Sequence, residues 1–216
     1  MTPDREPDEV LLAPALTAGA RRILEVASDL FYRRGIHAVG VDTIAAESGV
    51  TKRTLYDRFG SKDGLVEAYL QARHQRWWER MERRLAEHPA SRVLAVWDSY
   101  TQDAESSDRG CAFINAAGEL PVDHRGHRVI RAHKQAVRRR LADLIRTDHP
   151  EAGDADTAAD LVFLLLEGAI AHRGIDGDDE MLRSGRDMTE RLLRGGRADS
   201  PVEARRAAAR PTGRPG

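Results

Sequence analysis

Asp42-Thr43-Ile44-Ala45-Ala46-Glu47-Ser48-Gly49-Val50-Thr51-Lys52-Arg53-Thr54-Leu55-Tyr56-Asp57-Arg58-Phe59 reads as two helices, each too short to be stable alone, joined by a tight turn at Gly49. Glycine supplies the positive φ of that turn, Ala45 lets the two backbones approach, and Val50 with Leu55 plugs the gap between them. This is the physical recipe of a helix-turn-helix. The pair needs a further helix beneath it, and the preceding segment provides one: Ile23, Ala27, Leu30 and Phe31 share a face, and Gly35 stops it. Thr51 can cap the second short helix, whose first turn then projects outward.

That outward end carries Thr51, Lys52, Arg53 and Thr54, then Tyr56 and Arg58, with no carboxylate before Asp57. Arg or Lys can donate to guanine O6 and N7, Thr can meet a thymine methyl or a phosphate, and a Tyr hydroxyl can donate to a phosphate oxygen. Backbone amides at the helix start add positive potential. Lys62 comes at the start of the next helix, placed for the adjacent phosphate strand. Residues 41–62 hold four bases (Lys52, Arg53, Arg58, Lys62) against three acids (Asp42, Glu47, Asp57), a net of only +1, so placement must outweigh the total.

Working outward, the chain has 216 residues, 41% hydrophobic and 32% charged, enough to bury a core and too apolar for wholesale disorder. The net charge of -1 gives no bulk attraction to nucleic acid or an acidic membrane, so any such partner must meet a local patch. A single cysteine, Cys111, excludes an internal disulfide and fits a reducing, cytoplasmic setting. The longest apolar run, Leu161 to Leu166, is far short of the roughly 20 residues a membrane span needs. Residues 1–20, with prolines and acids, read as a disordered acidic tail, and 195–216 as a disordered Arg/Pro-rich tail. Between them the apolar period is helical throughout, predicting an all-α fold with a domain at 21–64 and a second at 65–194. After the short pair the helices fall at about 62–87, 91–106, 111–119, 125–147, 154–173 and 178–194.

Gly35, Val41, Ile44-Ala45, Ser48-Gly49-Val50, Thr54-Leu55-Tyr56, Phe59, Ser61-Lys62 and Leu65 resemble the N-terminal DNA-binding domain of the TetR family of bacterial transcriptional regulators. The likeness runs without gaps from about Arg21 to Tyr69; beyond residue 70 it is architectural. It implies a homodimer, two recognition helices in successive major grooves of a palindromic double-stranded operator, and a C-terminal domain that binds a small effector and releases DNA as a repressor does. Carried onto this sequence, Thr51, Lys52, Arg53 and Thr54 read bases, while Tyr56, Arg58, Lys62 and Thr43 contact phosphates. Two positions depart from the pattern: Gly40 stands where a Ser or Thr cap is usual, and Gly64 is a poor helix former near the start of its helix. An activator, or a regulator answering to a protein partner, is the alternative.

In the second domain Trp77, Trp78, Trp97, Tyr100 and Phe113 lie on the helices that surround the ligand in that family, with Asn115 and His133 as polar candidates for the same pocket. Cys111 has no His or Cys beside it in sequence and reads as a small buried hydrophobe rather than a redox sensor. Asp123, His124 and His127 sit among Arg125, Arg128 and Arg131, which disfavours a dication, so no metal and no cofactor are expected. No nucleophile, base or phosphate loop with enzymatic context is present, and the chain reads as a non-enzyme. The helix holding Leu161, Leu165, Gly168 and Ala169 is apolar around most of its circumference, and with Met181, Leu182, Met188, Leu192 and Leu193 of the last helix it predicts a four-helix dimer interface.

Overall fold

Short polar side chains and glycines set where the helices begin and end. The computed structural model describes residues 7–104 and 109–194, and among them every regular element is helical. Thr17 Oγ1 accepts from Ala20 N at 3.4 Å and opens α1 (Ala18–Arg34). The next helix, α2 (Val41–Ser48), starts behind Gly40 with no side-chain cap and ends at Gly49, whose φ of 68° makes the left-handed turn. Thr51 Oγ1 accepts from Thr54 N at 3.2 Å and opens α3 (Lys52–Phe59), and Ser61 Oγ accepts from Gly64 N at 3.0 Å to open the long α4 (Lys62–Glu87). Then come α5 (Arg92–Ala104), α6 (Ala112–Glu119), α7 (Gly126–Asp148), α8 (Ala155–Asp176) and α9 (Glu180–Leu193). The all-helical expectation holds, with α8 running on to a cap at Gly177.

Two buried clusters organise the packing. The first joins Ile23, Ala27 and Phe31 of α1, Ile44 of α2 and Leu55 of α3 to Leu65, Tyr69 and Leu70 of α4, and continues into Phe113 and Leu120 and into Val129 and Ile130 of α7. The second holds the far half of α4 (Trp77, Met81, Leu85) against α5, α7, α8 and α9. The helices α4 and α7 run through both.

The amino-terminal segment departs from expectation. Within residues 7–20 a one-turn helix, Pro7–Val10, leads into Leu11, and Val10 and Leu11 are buried in the first cluster while Gln71 Nε2 donates to Val10 O at 2.9 Å. The short run Val10-Leu11-Leu12 supplies enough apolar surface to hold the segment, which its surrounding prolines and acids masked. Residues 1–6 and 195–216, expected as tail, lie outside the described residues, as do 105 and 106, predicted as the end of the fifth helix.

Candidate nucleic-acid interface and internal cavity

The start of α3 stands clear of the protein because Ile44 and Leu55 are fully buried beneath it, with Val50 and Phe59 packed alongside. Thr51, Lys52, Arg53, Tyr56 and Arg58 are exposed, Arg53 with 92% of its side chain in solvent, while Thr54 and Thr43 are half-buried. The acids nearby are answered by bases. Lys52 Nζ meets Asp42 Oδ1 at 2.6 Å, Arg34 meets Glu47 at 3.3 Å, and Arg53 lies 3.9 Å from Asp57. The hydrogen bond and charge of Asp42 raise the Lys52 pKa, keeping the ammonium available to trade its carboxylate for a phosphate or a base edge. Arg58 makes no ion pair among the described residues, which leaves an unmatched cation at the helix end.

Lys62 is placed differently from expectation. Its Nζ donates to Ile36 O at 2.6 Å, and burial lowers its pKa. The side chain braces the loop between α1 and α2 instead of reaching freely for DNA. Gly64 also has a structural reason: a Cβ there would collide with Phe59 O, so the turn between α3 and α4 closes only around a residue without a side chain.

Behind this head lies a small cavity of about 20 Å³ lined by Trp77, Tyr100, Asp103, Gly110, Cys111, Phe113, His133 and Ile170. Four of the expected pocket residues (Trp77, Tyr100, Phe113, His133) come together there, and three do not. Trp97 is buried in the second cluster against Gly185, Trp78 lines a separate outer groove with Leu11, Leu12 and His74, and Asn115 Nδ2 donates to Arg109 O at 2.7 Å. Phe113 and His133 stack with centroids 3.8 Å apart, and Trp77 meets Tyr100 edge-on at 5.2 Å. Burial, reinforced by Lys134, pushes the His133 pKa well below its ordinary value, and its Nδ1 pairs with His74 Nδ1 at 2.9 Å. Burial likewise holds the Tyr100 pKa far above normal.

Asp103, Gly110, Cys111 and Ile170 were missed as lining residues. Cys111 is half-buried on the cavity wall, packed against both core clusters, and α7 brings Lys134 Nζ to 3.5 Å from its sulfur. Burial opposes the charge of Lys134, but Cys111 and Glu167, the latter 2.7 Å away, more than offset it and raise the pKa. Of the histidines and acids weighed for a metal, His124 Nδ1 accepts from Gly126 N at 2.9 Å and His127 Nε2 meets Leu120 O at 3.1 Å. Among the described residues no group of three or more His, Cys, Asp or Glu could hold an ion.

The cavity wall is bolted to the head. Tyr32 OH on α1 donates to Gly110 O at 2.7 Å, and the Arg73 guanidinium lies 4.4 Å over the Tyr32 ring while its Nη2 donates to Asp103 at 2.6 Å. Arg109 Nη1 donates to Arg33 O at 3.1 Å, and Glu119 at the end of α6 accepts from His37 N at 3.1 Å.

On the far side, α8 and α9 expose an apolar face. Leu164 and Ile175 are 66% and 73% exposed, joined by Leu161, Met181 and Met188, with Gly168 between them. Several expected interface residues face the other way. Ala169 and Leu193 are buried within the chain's own core, and Leu165 and Leu192 pack partly against it. Leu182, expected in the same interface, is buried there too.

A helix-turn-helix head on a larger helical body is the architecture of a DNA-binding regulator. A family model described as bacterial regulatory proteins, tetR family, matches residues 23–69. The crystal structure of a TetR-family transcriptional regulator from Streptomyces coelicolor is 31% identical, with a TM-score of 0.75 over 86% of this chain and 97% of that one. A transcriptional regulator of the same type from Streptomyces avermitilis is 27% identical, with a TM-score of 0.62 over 81% of this chain and 99% of its own. The HTH-type transcriptional activator FasR of Mycolicibacterium smegmatis is 49% identical over 50 residues; the match spans 23% of this chain and 23% of that relative's length. The chain belongs to the TetR family of bacterial transcriptional regulators, a family of DNA-binding proteins and not of enzymes. Among the described residues no helix is long and apolar enough to cross a membrane.

Proposed function

We propose that the chain is a cytoplasmic, homodimeric repressor that holds a palindromic operator with two copies of α3 and lets go when a small molecule fills the aromatic cavity. The observation that carries this reading is the bond from Tyr32 to Gly110: one partner lies on the helix that floors the head, and the other lines the cavity. A ligand that presses on Gly110 and Phe113 moves the segment to which α1 is bonded. Couplings in such switches run to about 1–3 kcal/mol.

Thr51, Lys52, Arg53 and Thr54 read bases, and Tyr56, Arg58 and Thr43 hold phosphates; Lys62 sets the attitude of the head through Ile36. One short recognition helix makes too few contacts for useful specificity, so two heads about 34 Å apart are needed to read both halves of a palindrome. The face of Leu161, Leu164, Gly168, Ile175, Met181 and Met188 supports the pairing, because a monomer exposing it would carry a large apolar stripe in water. Selection from a random duplex library by the purified full chain tests the reading. Enrichment of a two-fold symmetric site is expected, and enrichment of nothing over competitor overturns it.

One observation favours the activating alternative: the relative FasR is an activator. Its match spans only 50 residues, 23% of either chain, which is too short a stretch to carry the direction of regulation across. A promoter–reporter fusion carrying the selected site, measured with and without the regulator, separates the two.

A further inference from the structure

Glu119 stands at the wrong end of its helix. It is the last residue of α6, where the carbonyl ends carry partial negative charge, and no basic residue shares that turn. A carboxylate there does nothing for α6, so its use lies in what it touches across the chain. It grips the turn between α1 and α2. Glu119 Oε2 accepts from His37 N at 3.1 Å, and the His37 ring, through Nε2, donates to the backbone carbonyl of Glu119 itself. The carboxylate lies where a side chain at position 35 would stand, since a Cβ on Gly35 would come within 3.0 Å of Oε2. Arg109 closes the group: its Nη2 is 3.7 Å from Glu119 Oε1, and its Nη1 donates to Arg33 O near the end of α1. Lys62, the first residue of α4, holds the residue in between by donating to Ile36 O. Residues 35–37 are thus fastened both to the head's own α4 and to the end of α6 in the body.

This grip does what the buried cluster cannot. Leu30 and Phe31 share that cluster with Phe113 and Leu120, which holds head to body, but apolar contact has no preferred direction and tolerates small rotations. Hydrogen bonds weaken steeply with angle. The Glu119 side chain is only 23% exposed, so water competes weakly for its oxygens. Helix α4 runs unbroken from head to body and is one attachment. Tyr32 OH ties the last turn of α1 to Gly110, and Glu119 carries the hold onward into the turn itself. That turn leads directly into α2, whose Ile44 is buried with Leu55 of α3, so a tilt of the turn is a tilt of the recognition helix.

We propose that Glu119 is a positioning residue for DNA binding: by fixing the turn at His37 it sets the angle between head and body, and with it the distance between half-sites that a pair of heads accepts. The inference rests on the homodimer reading of a palindrome above. It concerns spacing and not base identity, because the residues that meet bases open α3 while Glu119 ends α6. One base pair added or removed between half-sites displaces one target by about 3.4 Å and turns it by about 35° around the duplex axis. A head of fixed attitude loses contacts at such a site. A loosened head recovers part of them and gives up affinity for the preferred site in return.

The full chain, as wild type, Glu119→Ala, Glu119→Gln and His37→Ala, is titrated by fluorescence anisotropy onto the selected duplex and onto duplexes with one base pair inserted or deleted at its centre. The quantity read is the ratio of Kd at the altered spacing to Kd at the selected one, in which any inactive fraction of a preparation cancels, so a merely structural role leaves it unmoved. Wild type should discriminate by at least about tenfold, and Glu119→Ala by about threefold or less, with base preference inside each half-site intact. Glu119→Gln, whose amide oxygen can still accept from His37 N, should stay within about twofold of wild type. His37→Ala keeps that N–H but loses the ring, and should fall between. His37 is exposed, so this variant carries the test if Glu119→Ala does not fold. A two-fold symmetric site selected by wild type, with Glu119→Ala (or, in its place, His37→Ala) discriminating as wild type does, overturns the positioning role and leaves the dimer reading standing. So does a wild-type ratio near one. Selection of no two-fold site by wild type overturns both.

Discussion

Alanine at position 64 gives a sign that can be worked from the structure. On helix propensity alone, Gly64→Ala near the start of α4 should stabilise the protein by about 0.5–1 kcal/mol. Here the added methyl collides with Phe59 O and comes within 3.2 Å of Phe59 C, both backbone atoms that cannot swing aside. The end of α3 must retreat by on the order of 1 Å, and overpacking of this kind costs about 1–3 kcal/mol. The net expectation is a loss of about 1–2 kcal/mol, or a fall in Tm of roughly 2–8 °C for a chain of this size. Because the shift is taken up where α3 joins α4, affinity for the selected duplex should fall in conditions where the variant is fully folded. Thermal melts and fluorescence anisotropy on the full chain measure both. A variant melting at or above wild type with unchanged duplex affinity would refute the steric argument.

Three further outcomes are expected. Arg53→Ala should relax base preference at one position of each half-site, costing about 1–3 kcal/mol there if it reads guanine, as a repeated selection would reveal. Leu164→Glu should give folded monomers, because two leucines lost by symmetry remove about 3–6 kcal/mol of burial; Leu193→Glu should instead unfold the chain, and sedimentation with circular dichroism tells them apart. Because the folded His133 stays neutral, protons bind the unfolded chain preferentially once the pH drops below its ordinary pKa of 6.5, so stability is full above that value and declines below it. Urea melts between about pH 8 and pH 5 should show a steeper decline for wild type than for His133→Asn, and equal slopes would count against a buried neutral imidazole.

The head was legible because its information is local. Thr51, Ser61 and Gly49 act within three or four residues of where they stand, and the spacing of Ile44, Val50 and Leu55 needs no distant partner. The cavity was legible only in part, since Trp97 and Tyr100 both lie on the inner side of α5 and it is Gly185, far along the chain, that receives the Trp97 indole. Lys134, Glu167 and Cys111 gave no sequence signal because tertiary packing alone joins them. Helix α8 illustrates a different limit. Apolar on nearly every side, it has no polar stripe to fix its rotation, so the sequence could not tell that Leu164 faces outward while Leu165 and Ala169 turn inward.

The first buried cluster does not end where the helix-turn-helix ends. Leu30, Ile44 and Leu55 share it with Phe113, Leu120, Val129 and Ile130. A fragment cut after residue 64 would strip one wall from that cluster, so grafting this reading head onto a foreign sensor requires recreating the surface of α6 and α7 as well as keeping α4. Exchange of sensors among such regulators is thereby constrained to donors whose corresponding helices offer the same underside, a requirement written in the packing instead of in the residues that touch DNA.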